Sequence, residues 1–452
     1  MASTSSFRVG QVQGYLRGRV WYLCYHEHGK RRRPRVGPDR QAARRLAAQV
    51  NGQLAADAPT TFSYEPIGIP DLRDQWLDHH EHVRRSSVRT VGRYRTATAH
   101  LVRFLDARPV RHAAQFTPAH AAEFARHLRA ARVSPNGHPH TPVRPLLDKG
   151  VRFILECCRA LFHFAARRRH LPPYAANPFT AIDVDRLAVD TRRPVVLLTA
   201  GQEAELLGAC DRWQLPVFAS LLLTGVRPGE LCHLLLPGDL DLAAGVLRVR
   251  NKPAVGWQVK TRAERDVPLL PELAGLLAAH LGGRAAGPVF ARRGWPAGGG
   301  WTARELEQDL ARRVAAREAE TGRPVDRAGR LRLAAAAWRA AGAVREERVR
   351  VELLRAARAA GLGASLSPKT LRHQFATALQ EGRVDPLVRN LVMGHAAAGE
   401  RTAGHGLGMT AVYTHTRPET VREQLVAALA GRPAVAAVRD RLTGFVGRTS
   451  TD

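Results

Sequence analysis

From Leu72 onward, apolar side chains return every three or four residues in one stretch after another, and that period commits most of the chain to packed amphipathic helices. LRDQWLDHHEHV, TVGRYRTATAHLVRFLDA, PAHAAEFARHLRAARV and GVRFILECCRALFHFAARRRHL all carry it. Trp76, Tyr94, Phe104, Phe124, Phe153, Phe162 and Phe164 then read as core positions of an all-helical domain. Ahead of them, residues 10–37 alternate Val12, Tyr15, Val20, Tyr22 and Tyr25 with turns at Gly14, Gly18 and Gly29, which predicts a small antiparallel sheet. A helix capped by Asp39 follows it, and a Pro- and Gly-containing segment over 56–70 reads as a linker. Helical signal resumes at AGQEAELLGACDRW, from Ala200. Beyond it, VLRVRNKPAVGWQVKTRAERDVPLL is the one strong strand-turn-strand signal, built around a Pro-Ala-Val-Gly turn. Residues 301–364, rich in Ala, Arg and Glu, read as a helical insertion without chemistry. At 452 residues the chain exceeds one ordinary core. The expected division is 1–58, a sheet with a helix; 65–185, all-helical; and 197–440, mixed α/β. The fold class is mainly α with small β elements.

Charge narrows the partners. The formal net charge of +29 favours a polyanion, with the phosphate backbone of nucleic acid first. No uninterrupted apolar run is long enough to span a bilayer, and MASTSSFRVG lacks the apolar core of a signal peptide, so the expected site of action is the cytoplasm, on the nucleoid, and not a membrane. The five cysteines, 24, 157, 158, 210 and 232, follow neither zinc nor disulfide-framework spacing and are expected to be reduced and structural. With 64 arginines and five lysines, arginine fills nearly every place where a generic positive charge would do, which draws attention to each lysine. Lys30, Arg31, Arg32 and Arg33 stud the predicted sheet, and Arg93, Arg95 and Arg167 lie on the helical domain; all seven are candidate DNA contacts.

Three motifs carry chemistry. In LLLTGVRPGELCHLLL an apolar helix meets Thr224 and Gly225, then Arg227 and Pro228 open a new helix, placing a guanidinium beside free backbone N–H groups as a phosphate requires. Alone, an arginine there is more often a surface residue or the partner of a carboxylate such as Glu230. In SPKTLRHQFATAL, Ser367 caps a helix with Pro368 in its first turn, and Lys369 and Arg372 share a face. Cations at the positive end of a helix are locally unfavourable, a cost that a bound anion relieves. In LVRNLVMGHAAAG a helix ends at Gly394 and His395 follows, and in GHGLGMTAVYTHTRPETVREQL Tyr413 precedes a final amphipathic helix. A lone His or Tyr is usually structural.

Taken in order, these motifs resemble the tyrosine recombinase, or phage integrase, family. TGVRPGEL is similar to the family's TG-x-R-x-x-E-L, giving Arg227 with Glu230 in support. VKTRAERDVPLL is similar to its lysine-bearing β-hairpin, giving Lys260 ahead of Lys252. KTLRHQFAT is similar to H-x-L-R-H-x-F-A-T, giving Arg372, with Lys369 where the family more often has His. VMGH gives His395, with the second Gly-His at His405 as competitor, and TAVYTH gives Tyr413. The similarity covers roughly residues 200 to 430, and the first two domains match the family's arm-binding and core-binding domains in order.

The resemblance implies that Tyr413 attacks a DNA phosphate to give a 3′-phosphotyrosyl bond. Arg227 and Arg372 would clamp the transition state and Lys260 would protonate the leaving oxygen, with Lys369 and His395 holding the phosphate or shifting protons. A phenol of ordinary pKa, about 10, needs such cations to act as a nucleophile at neutral pH. The expected partners are double-stranded DNA and further copies of the chain, as a tetramer on paired sites, with TVREQLVAALAG able to dock on a neighbour. The resemblance implies neither cofactor nor metal. A topoisomerase-like DNA-relaxing enzyme and a catalytically inactive sequence-specific DNA-binding protein are the alternatives.

Overall fold

The computed structural model describes residues 5–134, 140–189, 196–296, 300–363, 366–394 and 416–446. The chain divides into two units, residues 1–193 and 194–452.

The first unit opens with β1 (Ser6–Val9), β2 (Val12–Arg17), β3 (Val20–Glu27), β4 (Lys30–Arg32) and β5 (Arg35–Gly37), followed by α1 (Arg40–Ala55). The strands are antiparallel in the order β1-β2-β3-β4, with β5 also pairing β3. Alternation sends Trp21, Leu23 and Tyr25 to one face, where with Val12 they close on Ala43, Ala47 and Val50 of α1. Asp39 caps that helix, accepting from the Gln41 amide at 2.7 Å. On the opposite face Tyr15 and Tyr22, cross-strand partners, stack at 5.7 Å. The segment read as a linker holds no helix or strand between Ala55 and Ile69, and it is packed: Thr60 is buried, its amide donates to Glu27 at 2.8 Å, and its hydroxyl meets that of Tyr25 at 3.0 Å. The Tyr174 hydroxyl donates to the Pro59 carbonyl, so polar groups of the connection are satisfied by elements on both sides.

Four helices complete the unit: α2 (Ile69–Asp78), which runs into a π-helical turn over His79–Val83, α3 (Val88–Leu105), α4 (Pro118–Ala130) and α5 (Asp148–Arg167). A two-residue pair, β6 (Arg132–Val133) and β7 (Arg144–Pro145), lies between the last two. Ser87 and Thr117 cap α3 and α4 as their residue types predict. Of the seven aromatics read as core, Trp76, Phe104, Phe124, Phe162 and Phe164 are buried, and Tyr94 and Phe153 pack against them half-buried.

The second unit is assembled around α7 (Gln214–Thr224), whose residues are all buried; a helix apolar on every side belongs at a centre. It follows α6 (Ala200–Gly208), so the single helical run expected from Ala200 is broken after Gly208, and α8 (Pro228–Leu231) comes next. A three-stranded antiparallel sheet of β9 (Leu240–Asp241), β10 (Val246–Val249) and β11 (Arg265–Pro268), in the order β11-β10-β9, stands beside a pair formed by β8 (Leu235–Leu236) and β12 (Gly287–Pro288). α9 (Pro271–Leu281) packs on α7. α10 (Ala303–Thr321) and α11 (Arg327–Ala340) form a helical hairpin with its own apolar cluster, whereas α12 (Glu346–Ala359) places Val349, Leu353, Ala356 and Ala357 in the main core. α13 (Pro368–Glu381) and α14 (Pro386–Met393) lead to α15 (Pro418–Leu429) and α16 (Pro433–Val446). The α15 stretch expected to reach a neighbour spends Val421, Leu425 and Leu429 on this chain's own core.

Candidate active site

Arg227 opens α8 two positions after Gly225, which ends α7 in the left-handed conformation at φ 60°. A Cβ at that glycine would stand 2.1 Å from the Phe375 ring of α13, so the close approach of α7 to α13 depends on its absence. The contact brings Arg372, one helical turn into α13, next to Arg227. Arg372 donates to the Gly225 carbonyl with one terminal nitrogen and to the Met393 carbonyl with the other. The Nη2 of Arg227 donates to the Gly394 carbonyl at 3.2 Å, and Arg265 of β11 donates through Nε to the Val392 carbonyl at 2.7 Å. Three guanidiniums from three elements thus satisfy three consecutive carbonyls at the C-terminal end of α14, where the helix dipole favours positive charge.

One carboxylate organises them. Glu230, 2% exposed, bonds Arg265 through both oxygens at 3.2 and 2.6 Å, and Arg227 through Nη1 at 2.7 Å and the backbone amide at 2.8 Å. Burial pushes its carboxyl pKa up, but the bonds and charge of Arg265 and the two bonds of Arg227 together outweigh it and hold the group ionised, below its ordinary range. Arg372 is pushed down to about 10, by burial first and then by the charge of Arg227, and therefore stays cationic at neutral pH. Three cations around one anion leave the cluster with positive charge to spare.

Lys260 lies in the loop between β10 and β11. The expected hairpin exists, but its strands are four residues long, and the Pro-Ala-Val-Gly segment forms a short 3-10 turn inside a loop spanning 250–264. Lys260 is exposed, at the second position of a turn closed by the Arg262 amide on the Val259 carbonyl at 2.9 Å. Asn251 braces that turn from within: its side chain accepts from the Val259 amide at 2.9 Å and donates to the Arg262 carbonyl at 3.0 Å. The competing Lys252 pairs with buried Asp239 at 2.7 Å and is occupied structurally. Lys369 is exposed in the first turn of α13, three residues before Arg372. His373, a neighbour in sequence that the motif reading left unassigned, has its pKa lowered by burial, then by Lys369 and Arg372. His395, its competitor His405, and Tyr413 lie outside the described residues.

The candidate DNA contacts of the first unit fall in several settings. Lys30, Arg31 and Arg33 are exposed, and Arg31 lies opposite His26, with Nε 3.2 Å from the Cys24 sulfur; Arg32 is half-buried and 3.4 Å from Glu27. Arg93 lies over the Phe153 ring at 4.2 Å, and Arg95 and Arg167 are exposed on their helices. The open face that carries Tyr15 and Tyr22 was missed by the motif reading; alternation along β2 and β3 would have shown it.

Among the described residues no group of three or more His, Cys, Asp or Glu could hold a metal ion, and no helix is long and apolar enough to cross a membrane. No curated protein matches the sequence. Solved structures to which the chain is similar include a lambda integrase tetramer bound to a Holliday junction, at 17% identity over 86% of this chain and 99% of that one, TM-score 0.48. A lambda integrase dimer bound to a COC′ core site matches at 15% identity over 75% and 100%, TM-score 0.48. The Tn1549 transposon integrase in complex with transposon right end DNA matches at 19% identity over 81% and 100%, TM-score 0.45. The domain over residues 197–419, which holds every residue of the arginine cluster, matches the phage integrase family.

Proposed function

We propose that the protein is a site-specific DNA recombinase that cuts and rejoins DNA strands through a 3′-phosphotyrosyl intermediate at Tyr413. The observation that carries the reading is the convergence of Arg227 and Arg372 on one helix end, with Glu230 and Arg265 fixing their geometry. A planar guanidinium pair held in place before substrate arrives suits the non-bridging oxygens of a phosphodiester in its five-coordinate transition state. The Tyr413 phenol oxygen forms a bond to phosphorus, the bond from phosphorus to the 5′-oxygen breaks, and that oxygen leaves with a proton from Lys260. Lys369 and His395 hold the phosphate or move the phenol's proton. The new phosphodiester keeps the bond energy, so a 5′-hydroxyl from another strand reverses the step and completes an exchange. Exchange between two duplexes requires four cuts, which is the chemical reason for a tetramer on paired sites. The arm-type role of residues 1–58 and the core-binding role of 65–185 belong to the same proposal, as does action on the nucleoid.

The test is a covalent trap. The protein is mixed with duplex DNA from the flanks of its own gene, denatured, and resolved for protein linked to DNA, with Tyr413→Phe alongside. An adduct that the variant lacks is the expected result, and its position maps the cut. Binding across a broad DNA panel with no adduct would instead make the protein a non-catalytic DNA-binding one.

A further inference from the structure

We infer that the helical hairpin of α10 and α11 is a buttress for the loop that presents Lys260, with Trp338 and Trp257 as positioning residues. The inference rests on the proposed role of Lys260 as the proton donor to the leaving oxygen.

The loop from Arg250 to Glu264 is long and mostly polar, and β10 and β11 hold only its ends. Its inner part is nevertheless anchored. Val255 is buried in the cluster built by Leu306 and Leu310 of α10 with Ala334, Ala337 and Trp338 of α11. The Trp338 indole N–H donates to the Val255 carbonyl at 3.0 Å, a buried bond that fixes backbone and not only a side chain. Gly256, at φ 71°, lies so close to α11 that a Cβ there would stand 2.4 Å from the Cβ of Ala334. Lys252 and Trp257 exchange backbone bonds at 3.0 Å each, which closes the anchored part into a small ring.

From that ring the anchoring reaches both catalytic sides. Trp257 stacks on His233 with ring centres 3.7 Å apart and planes 7° from parallel, and His233 also meets the Trp338 ring edge-on at 4.8 Å. The His233 ring in turn bonds the Gly229 carbonyl of α8, the helix that Arg227 opens, at 2.6 Å. In the other direction, only Gln258 and Val259 separate Trp257 from Lys260, in the turn braced by Asn251. The two tryptophans therefore tie the insertion, the Lys260 loop and the Arg227 helix into one packed column. An ammonium on a flexible stem delivers its proton only when its backbone stays in register with the leaving oxygen, and an error of about 1 Å can cost as much as 10²-fold in rate.

A substrate that needs no proton donor separates positioning of Lys260 from general damage. With a 5′-bridging sulfur in place of the scissile oxygen, the P–S bond breaks and a thiolate leaves unprotonated. The full chain is assayed for adduct formation on oxygen and sulfur forms of the site mapped above, for the unaltered protein, Lys260→Ala, Trp338→Phe and Gly256→Ala. Lys260→Ala is expected to lose about 10²–10⁴-fold on oxygen and to recover on sulfur. Trp338→Phe, which keeps a ring but loses the N–H, and Gly256→Ala, which pushes the loop off α11, are expected to lose about tenfold on oxygen and to react with sulfur within about threefold of the unaltered protein. Equal losses on both substrates, or none on either, would overturn the buttress. Failure of sulfur to rescue Lys260→Ala would remove the proton-donor role beneath it, and absence of an adduct from the unaltered protein would remove the recombinase reading itself.

Discussion

Glu230 shows how one buried acid can order several cations. Its carboxylate spans Arg265 and Arg227, and both arginines reach on to the carbonyls that end α14. Replacing Arg265 with Met leaves that acid short of its fullest partner, and urea unfolding is expected to show a loss of about 3–5 kcal/mol. Arg372→Lys keeps the charge but gives up the fork that holds two carbonyls, so adduct formation should fall about 10²–10³-fold while the fold survives. His233 makes a prediction of the opposite kind. Burial, aided by the charge of Lys252 and opposed by the bond to Gly229, pushes its pKa from 6.5 down to about 4. Between those values the unfolded chain binds a proton that the folded chain refuses, so stability is full above pH 6.5 and is lost as pH falls toward 4. His280, also pushed down to about 4 by burial, adds to the same loss. Thermal unfolding at pH 7 and pH 5 should therefore show a smaller drop for His233→Phe than for the unaltered protein.

Elements became legible where a local rule was strong enough to survive tertiary context. α1 and α13 begin after Asp39 and Ser367, the capping residues read from the sequence, because a cap is decided within four residues. The order of Arg227, Lys260, Lys369 and Arg372 was legible as a motif, and the structure adds why the two arginines meet: Gly225 lets α7 and α13 touch. Gly225→Ala is expected to destabilise the fold by about 2–4 kcal/mol, from the positive φ and the displaced Phe375 ring, measured by denaturant unfolding. Arg265 was not legible, although its residue stood in the quoted hairpin, since charge on a strand reads as solvent-facing until a partner such as Glu230 is placed beside it. Nor was the membership of α12 in the main core, because its Ala- and Arg-rich pattern matches that of the adjoining hairpin and period alone does not say which neighbour a helix chooses. The packing of the linker over 56–70 was not legible for a similar reason: Thr60 looks polar, and its burial becomes favourable only once Glu27, Tyr25 and Ser63 are placed around its amide and hydroxyl.

On the scale of the molecule, the two units keep separate cores and separate shares of the charge. Residues 1–193 hold 33 Lys and Arg against 15 Asp and Glu, so most of the positive excess belongs to the unit that does not contain the arginine cluster. Each phosphate neutralised adds about 0.9 to the slope of log affinity against log salt. The piece 194–452 should therefore bind duplex DNA with a shallower salt dependence than the whole chain, read by titration across a salt series. The five cysteines are free and buried, and burial pushes the thiols of Cys157 and Cys210 up to about 12, so native protein should resist alkylation until it unfolds. The division of labour among the lysines has a practical corollary. Lys252 is tied to Asp239, while Lys30, Lys149, Lys260 and Lys369 are exposed, and guanidiniums supply every other side-chain cation apart from histidine. To a reagent that labels only amines the protein is almost blank, and two of its four open side-chain marks, Lys260 and Lys369, are the ones proposed to act on the scissile phosphate, so protection of those two on adding DNA would be read against a nearly silent background.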